Sequence, residues 1–328
     1  MKPRVVVVGS FMQDLSFYTK AFPRPGETII GDFRPGPGGK GFNQAVAATR
    51  AGAPTLFIGA IGRDAAGASA RKFAAGAGVH AHFVEKKKEP TGAANIVINA
   101  AGQNQIIIAG GANLALHKQD VPSAPLRGAD VVVGQAETDL RTVLHVLRAA
   151  RKAGAITVFN PAPMRPDFDL ALLRATDVLI PNETEFCALV RAVPATAALL
   201  RSPAFREAGE WTETALAGLK ADQFHRLCRA LGVPIVIVTL GAGGCFVSQP
   251  DVYQRIRSHD VDAIDTTGAG DAFVGGFAAG LVKFKKNVVE AAHFANAVAA
   301  LAVTQPGTAA AMPTAREIAR FLRRRDHA

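Results

Sequence analysis

Cysteine is scarce in this 328-residue chain. Cys187, Cys228 and Cys245 are odd in number, far apart, and form no C-x-x-C. That excludes a disulfide framework and a cysteine zinc site. Aromatics are thin as well, with Trp211 the single tryptophan and only two tyrosines. No stacking platform for nucleic acid is therefore expected. Long apolar runs are missing: the longest small-apolar run, 294–303, is too short to span a bilayer. The apolar run near the N-terminus stops at Gly9-Ser10, with Gln13 and Asp14 close behind, too soon for a signal peptide. These absences point to a cytoplasmic protein with neither membrane nor nucleic acid as partner. The eight histidines are dispersed without H-E-x-x-H, which argues against a metal hydrolase. No G-x-S-x-G elbow occurs, and Lys40 is followed by Gly41 rather than Ser or Thr, so no Walker A sequence occurs either.

What is present suits a globular α/β protein. Hydrophobic residues make up 49%, enough for a sizeable core. The net charge of +10 is spread along the chain, and its one dense run, Arg323-Arg324-Arg325, reads as a solvated helix end. The β-branched run 4–8 reads as a buried strand. Between 130 and 248, strands (130–133, 156–159, 178–180, 235–239, 245–248) alternate with helices (140–153, 169–175, 184–190, 222–231). That rhythm predicts βαβ units and a mostly parallel central sheet with helices on both faces. Earlier, 55–58 reads as a strand, and 42–51 and 65–77 as helices. Residues 14–37, broken by prolines and glycines, and the hairpin 93–109 around Gly102 read as strands outside the main layers. We expect one domain over 1–328, with 14–37 and 90–110 forming a small β-sheet lid. The segment 194–218, with Pro203 and Trp211, has no functional reading.

Polar loops fall at the carboxyl ends of these strands, where open parallel sheets bind ligands. Gly38-Gly39-Lys40-Gly41-Phe42-Asn43-Gln44 opens a helix. Gly36, Gly38 and Gly41 also fit G-x-G-x-x-G, but Pro35 and Pro37 flank the first glycine and no strand is expected directly before it, so a dinucleotide site is rejected. Asn182-Glu183-Thr184-Glu185 reads as a capping box, with Glu185 also available to Mg²⁺ and Asn182 to phosphate. Thr239-Leu240-Gly241-Ala242-Gly243-Gly244 links two strands and could let a nucleotide lie against backbone. In Asp265-Thr266-Thr267-Gly268-Ala269-Gly270-Asp271 a glycine turn opens a small-residue helix. Its free amides would suit an anion, and Asp271 would be a base beside it, the layout that phosphoryl transfer requires.

Taken together, PGETI at 25–29, GGKGFNQAVAA at 38–48, GAN at 111–113, NPAP at 160–163, PNETE at 181–185, VTLGAGG at 238–244 and DTTGAGDAF at 265–273 resemble the ribokinase branch of the phosphofructokinase-B-type carbohydrate and nucleoside kinases. The resemblance runs nearly end to end. It implies a ribokinase-like sandwich with ATP as phosphoryl donor and a free pentose as acceptor at its 5-hydroxyl. Met12, Asp14, Gly39, Lys40, Asn43 and Glu137 would hold the sugar. Asp271 would be the base, with the amides of 267–270 (Gly268, Ala269 and Gly270 among them) as the anion hole. Asn182, Thr239, Gly241, Gly243, Gly244, Gly270 and Asn296 would border the nucleotide. Glu185 would meet Mg²⁺ through water. Asp265 and Thr267, with backbone of Ala302, Gln305, Gly307 and Ala311, would bind K⁺; family members often carry Ser where Ala311 stands. The resemblance also implies a homodimer formed through the lid. Met12 stands where ribokinases usually carry Asn, and deoxyribokinases resemble the chain there. Ribose therefore leads, with 2-deoxyribose or another sugar or nucleoside of the family as alternatives. A catalytically silent sugar sensor and a nicotinamide-dependent dehydrogenase are readings from other classes. The intact Asp271 and GAG turn speak against the first, and the missing fingerprint after Val8 against the second.

Overall fold

The computed structural model describes residues 2–202, 205 and 212–325, so Pro203 and Trp211 of the segment 194–218 lie outside the described residues. In chain order, β1 (Val5–Val8), β2 (Met12–Tyr18) and β3 (Asp32–Gly38) precede α1 (Lys40–Arg50). Then come β4 (Thr55–Gly62), α2 (Ala65–Gly76), β5 (His80–Lys86), β6 (Ala93–Ile98), β7 (Asn104–Ala109) and α3 (Ser123–Gly128). The regular alternation follows: β8 (Val131–Gln135), α4 (Leu140–Lys152), β9 (Ile156–Asn160), α5 (Ala171–Arg174), β10 (Val178–Leu179) and α6 (Glu183–Ala192). Two short helices, α7 (Pro194–Leu200) and α8 (Glu213–Ala217), fall in the interrupting segment. After them come α9 (Ala221–Ala230), β11 (Ile235–Thr239), β12 (Cys245–Ser248), β13 (Tyr253–Ile256), α10 (Ala269–Lys283), α11 (Val288–Ala302) and α12 (Ala315–Arg325).

Among the described residues the strands form two sheets. The larger has nine strands in the order β13-β12-β11-β10-β9-β8-β1-β4-β5. It is parallel from β5 across to β11, and β12 and β13 add antiparallel pairs at one end. Its interior strand β1 shows why. Val5 and Val7 point into one apolar cluster and Val6 and Val8 into another, all fully buried. A strand of consecutive valines is stable only where helices cover both faces. One face is covered by α1, α10 and α11, and the other by α4 and, further along, α6 and α9. The chain leaves β1 toward β4 on one side and leaves β8 toward β9 on the other. The β1–β8 boundary is thus the switch point, where a crevice opens beyond the strand ends.

The second sheet has four strands in the order β3-β2-β6-β7, β2 running parallel to β6 and antiparallel to β3. It holds the irregular segment and the hairpin. A strand does lead directly into the glycine turn before α1, contrary to expectation. However, β3 pairs antiparallel in the small sheet and belongs to no βαβ unit, so a dinucleotide fingerprint is still lacking. Two further strands went unanticipated: β5, an edge strand with the mixed sequence HAHFVEK, and β13, YQRI. The basic C-terminal run closes α12, where Arg323 and Arg324 are exposed. No helix among the described residues is long and apolar enough to cross a membrane.

Candidate functional site

The loops after β1 and β8 meet across the switch point. The Ser10 hydroxyl donates to Glu137 Oε2 at 2.6 Å, and the Lys40 backbone N–H donates to the same oxygen at 2.9 Å. Gly39 makes this approach possible. Its φ is 90°, and a Cβ there would come within 2.6 Å of the Met12 nitrogen. The first turn of α1 is thereby fully used: Gly41 N–H reaches the Ser10 hydroxyl and Phe42 N–H the Ser10 carbonyl. The start of α1 spends its amides on the protein itself and offers side chains instead, chiefly Asn43 and Gln44.

Both side chains converge on Asp271, which is 5% exposed. Asn43 Nδ2 donates to Asp271 Oδ2 at 2.9 Å, and Gln44 Nε2 to Oδ1 at 3.0 Å. Gln44 also donates to Asn160 Oδ1 at 3.1 Å and accepts from Gln135 Nε2 at 2.7 Å. Asn160 donates onward to the Ile180 carbonyl. The carboxylate is therefore fixed by amides from α1, which are braced in turn by β8 and β9. Asn43 Oδ1 is buried and unpartnered, an acceptor suited to a hydroxyl donor.

Asp271 lies in the first turn of α10, whose N-cap Gly268 has φ 79°. Here the amides differ from those of α1. Thr267 N–H is held by Asp265 Oδ1 at 2.9 Å and Ala269 N–H by the Thr266 carbonyl at 3.2 Å. Two of the four amides expected to form the anion hole are thus engaged. Those of Gly268, Gly270 and Asp271 have no acceptor among the described residues. Three unengaged amides at a helix start suit negative charge, and they lie shifted toward the helix from the expected range 267–270.

Asp14 approaches from the small sheet. It is 7% exposed and accepts from the Thr308 hydroxyl at 3.1 Å. Burial, opposed by the Thr308 hydrogen bond and reinforced by Glu137 and Asp271, raises its pKa to about 7. Burial likewise pushes Glu137 up, against the pull of Lys40 and Ser10. It pushes Glu185 up against its bond to Asn182 and the charge of Lys40. For the half-buried Lys40, burial acts to lower the pKa, but Asp271, Glu137 and Glu185 outweigh it and the pKa is raised. A single ammonium thus lies in the field of three carboxylates. Met12 shares the Asp14 face of β2, two residues away. It is fully buried, with its sulfur 3.5 Å from Asn113 Nδ2.

The remaining anticipated residues divide. Asn182 and Glu185 form the capping box of α6: Asn182 Oδ1 accepts from Glu185 N–H at 2.8 Å, and Glu185 Oε2 from Asn182 N–H at 2.9 Å. That leaves Glu185 Oε1 unoccupied by any partner among the described residues, and a hydrated Mg²⁺ needs few protein oxygens, so the residue fits such an ion. Thr239 sits beside Asn182 through a backbone bridge, and Gly241–Gly243 make a single tight turn before Gly244. Asn296 is bound into the fold, its Nδ2 donating to the Arg257 carbonyl at 3.3 Å, which ties α11 to the end of β13. Asp265 also accepts from Gly307 N–H at 2.9 Å, tying the loop before α10 to the segment after α11. Each Asp265 oxygen accepts one N–H and keeps a lone pair, as an oxygen ligand of K⁺ would; of the backbone expected to join it, the Ala302 carbonyl already accepts from Gln305 N–H at 3.2 Å, and Ala311 offers backbone alone. Five residues of the cluster were not anticipated: Ser10, Gln44, Gln135, Asn160 and Thr308. Gln44 and Asn160 stood in motifs already singled out, GGKGFNQ and NPAP. Thr308 had no local signal.

Fold and site together define an open α/β protein with its polar cluster at the switch point. Comparison with known proteins places it more narrowly. The model of the pfkB family of carbohydrate kinases matches residues 2–315, and the chain belongs to that family. It is 36% identical over 326 residues to a ribokinase of Haemophilus influenzae, covering 98% of this chain and 99% of that protein. It is 31% identical over 328 residues to a deoxyribokinase of Salmonella typhi, covering 97% and 98%. The structure of the Arabidopsis thaliana ribokinase complexed with ribose and ATP aligns with a TM-score of 0.80 at 32% identity, over 98% of this chain and 99% of that one.

Proposed function

We propose that this chain is an ATP-dependent kinase that transfers the γ-phosphoryl group to the 5-hydroxyl of D-ribose, giving D-ribose 5-phosphate and ADP. The observation that carries this reading is the pairing at the start of α10: a carboxylate fixed by two amide side chains, next to three unengaged backbone amides. Asp271 takes the proton of the 5-hydroxyl as that oxygen forms its bond to the γ-phosphorus and the bond to the β-phosphate oxygen breaks. The amides of Gly268, Gly270 and Asp271 stabilise charge gathering on the transferring oxygens. Asn43 Oδ1, Asp14 and Glu137 accept hydroxyls of the sugar, and Lys40 balances the carboxylates and approaching phosphates. Asn182, Thr239 and the turn 241–244 border the nucleotide. Mg²⁺ near Glu185 would offset phosphate charge, and K⁺ at Asp265 would order the loop that carries the amides.

The small sheet acts as a lid over the sugar, excluding water that would otherwise accept the phosphoryl group. It is also the contact of a homodimer. Three buried free thiols, all raised in pKa by burial, agree with a reducing cytoplasm.

2-Deoxyribose is the second reading. It is favoured by Met12, which presents no oxygen or amide to a sugar hydroxyl, and by the similarity to a deoxyribokinase. A coupled ADP-release assay over ribose, 2-deoxyribose, fructose and nucleosides, with and without Mg²⁺ and K⁺, tests both readings. Ribose should give the highest kcat/KM, and ADP release without any sugar-dependent component would overturn the kinase reading. Asp271→Asn should lower kcat by about 10²- to 10⁴-fold with sugar binding largely retained. Near-normal turnover would remove Asp271 as base.

A further inference from the structure

A groove of about 530 Å³ lies on the far side of the Glu137 loop, between α4 and the single turn Lys118–Asp120. Its size falls in the range of small-molecule sites. The sequence of α4, LRTVLHVLRAARK, contains no acid. Arg141, His145, Arg148 and Lys152 stand at helical intervals of four, three and four, so they share one face. Arg141, His145 and Arg148 line the groove together with His117 and Lys118. Beyond Arg148 the strip runs into a second hollow lined by Arg151, Lys152 and Arg174. The acids nearby are already taken. Asp139 bonds Arg141, with His117 at 3.8 Å. Asp120 bonds the Lys86 ammonium at 2.7 Å and His117 N–H. Lys118, His145 and Arg148 have no acid partner among the described residues, and Arg141 is 89% exposed.

We propose that this groove binds a small metabolite carrying two phosphate groups, at a site separate from that of the sugar and nucleotide. The cationic groups fall into two sets. His117, Lys118 and Arg141 gather at one end, and His145 with Arg148 lies one to two turns further along α4, room for two phosphates rather than one. The site is also wired to the sugar. Asp139 caps α4 through Arg141 N–H at 2.9 Å. Two residues before it, Glu137 holds Ser10 and the start of α1. Arg165 clamps the carbonyls of Ala136 and Thr138, which flank Glu137. A phosphate that draws Arg141 and His117 away from Asp139 acts on this short loop.

The test uses the full chain without divalent metal. Inorganic pyrophosphate, a hexose bisphosphate and orthophosphate are titrated separately while the imidazole proton resonances of His117 and His145 are followed, with His117→Gln and His145→Gln to assign one each. The catalytic cluster contains no histidine, so these signals report the groove alone. Either diphosphate should shift both resonances saturably and at least tenfold more tightly than orthophosphate. The tighter of the two identifies the source of the phosphates. Lys118→Glu with Arg148→Glu, two groove cations that make no bond to Asp139, should weaken that binding at least tenfold while sugar-dependent ADP release without added diphosphate stays within about twofold. If the double variant loses turnover, Arg148→Gln is read by the same criterion. Shifts that grow linearly without saturation, or binding unchanged in the variant that retains turnover, overturn the proposal.

Discussion

Asp14 and Asp271 are both buried acids in one cluster, and their surroundings separate their tasks. Asp271 receives two amide N–H donors, whereas Asp14 receives one hydroxyl and faces Glu137 and Asp271. Its pKa near 7 means that the folded chain holds a proton there that the unfolded chain, near 3.8, has released. Stability contributed by that proton is present at low pH and is lost as pH rises from about 4 to about 7. Asp14→Asn removes the cost of ionising a buried carboxyl, up to about 4 kcal/mol. The variant should thus melt higher than the parent at pH 8 and by a much smaller margin at pH 4.5, while its KM for sugar rises. Equal margins at the two pH values would show that Asp14 ionises without strain. Met12, two residues earlier on the same face, is the residue proposed to bear on the choice of sugar. Met12→Asn should shift kcat/KM toward ribose over 2-deoxyribose by about 1–3 kcal/mol in differential transition-state binding. An unchanged ratio in competition assays would exonerate the thioether.

Helix α10 carries Asp271, the proposed base, and its glycines set where that carboxylate stands. A Cβ at Gly275 would come 2.6 Å from Ala47 Cβ of α1, and one at Gly276 would come 2.9 Å from Val298 of α11. Close approach of α10 to α1 brings Asn43 and Gln44 within reach of Asp271. Gly275→Ala should force the helices apart, costing about 1–3 kcal/mol in stability and, by misplacing Asp271, about 10- to 100-fold in kcat. Thermal melts and steady-state rates measure both; full activity with lowered stability would mean that the α1–α10 spacing does not position the base. Elements of this kind were legible to different degrees. The valines of β1 and the small-residue helix after the GAG turn announce themselves by local pattern, and so does the capping box at Asn182. The edge strands β5 and β13 do not, because half-exposed strands carry histidine, glutamate and arginine in place of apolar alternation. Gln44 meets Asp271 across 227 residues and Thr308 meets Asp14 across 294, contacts that only the closed fold creates. The anion cradle was legible as a glycine turn, yet which amides remain unengaged depended on Asp265 and Thr266, whose bonds no spacing reveals.

At the scale of the whole molecule the large sheet is covered on both faces, whereas the small sheet is covered in part on its Asp14 face, where Met12, Ala94 and Ile96 are buried, and open on the other. Register places Ile106 and Ile108 on the Asp14 face of the small sheet, and Phe17, Phe33 and Ile107 on the opposite one. Phe33 is 50% and Ile107 71% exposed, and the rings of Phe17 and Phe33 lie 5.0 Å apart, an aromatic pair turned outward. A thin four-stranded sheet with apolar groups on both sides buries too little surface to be rigid alone, and its strands β3 and β7 leave open edges. A second copy of the chain, docking sheet on sheet, would cover the outward face and stiffen the inner one against the sugar. Phe33→Lys combined with Ile107→Lys should therefore convert a dimer to a monomer in sedimentation equilibrium at micromolar concentration. It should also raise the KM for sugar more than it lowers kcat, because the catalytic groups stand on the large sheet and its helices while Asp14 and Met12 stand on the small one. A parent chain that sediments as a monomer, or a monomeric variant whose KM is unchanged, would mean that the lid needs no partner to hold its sugar-facing side in place.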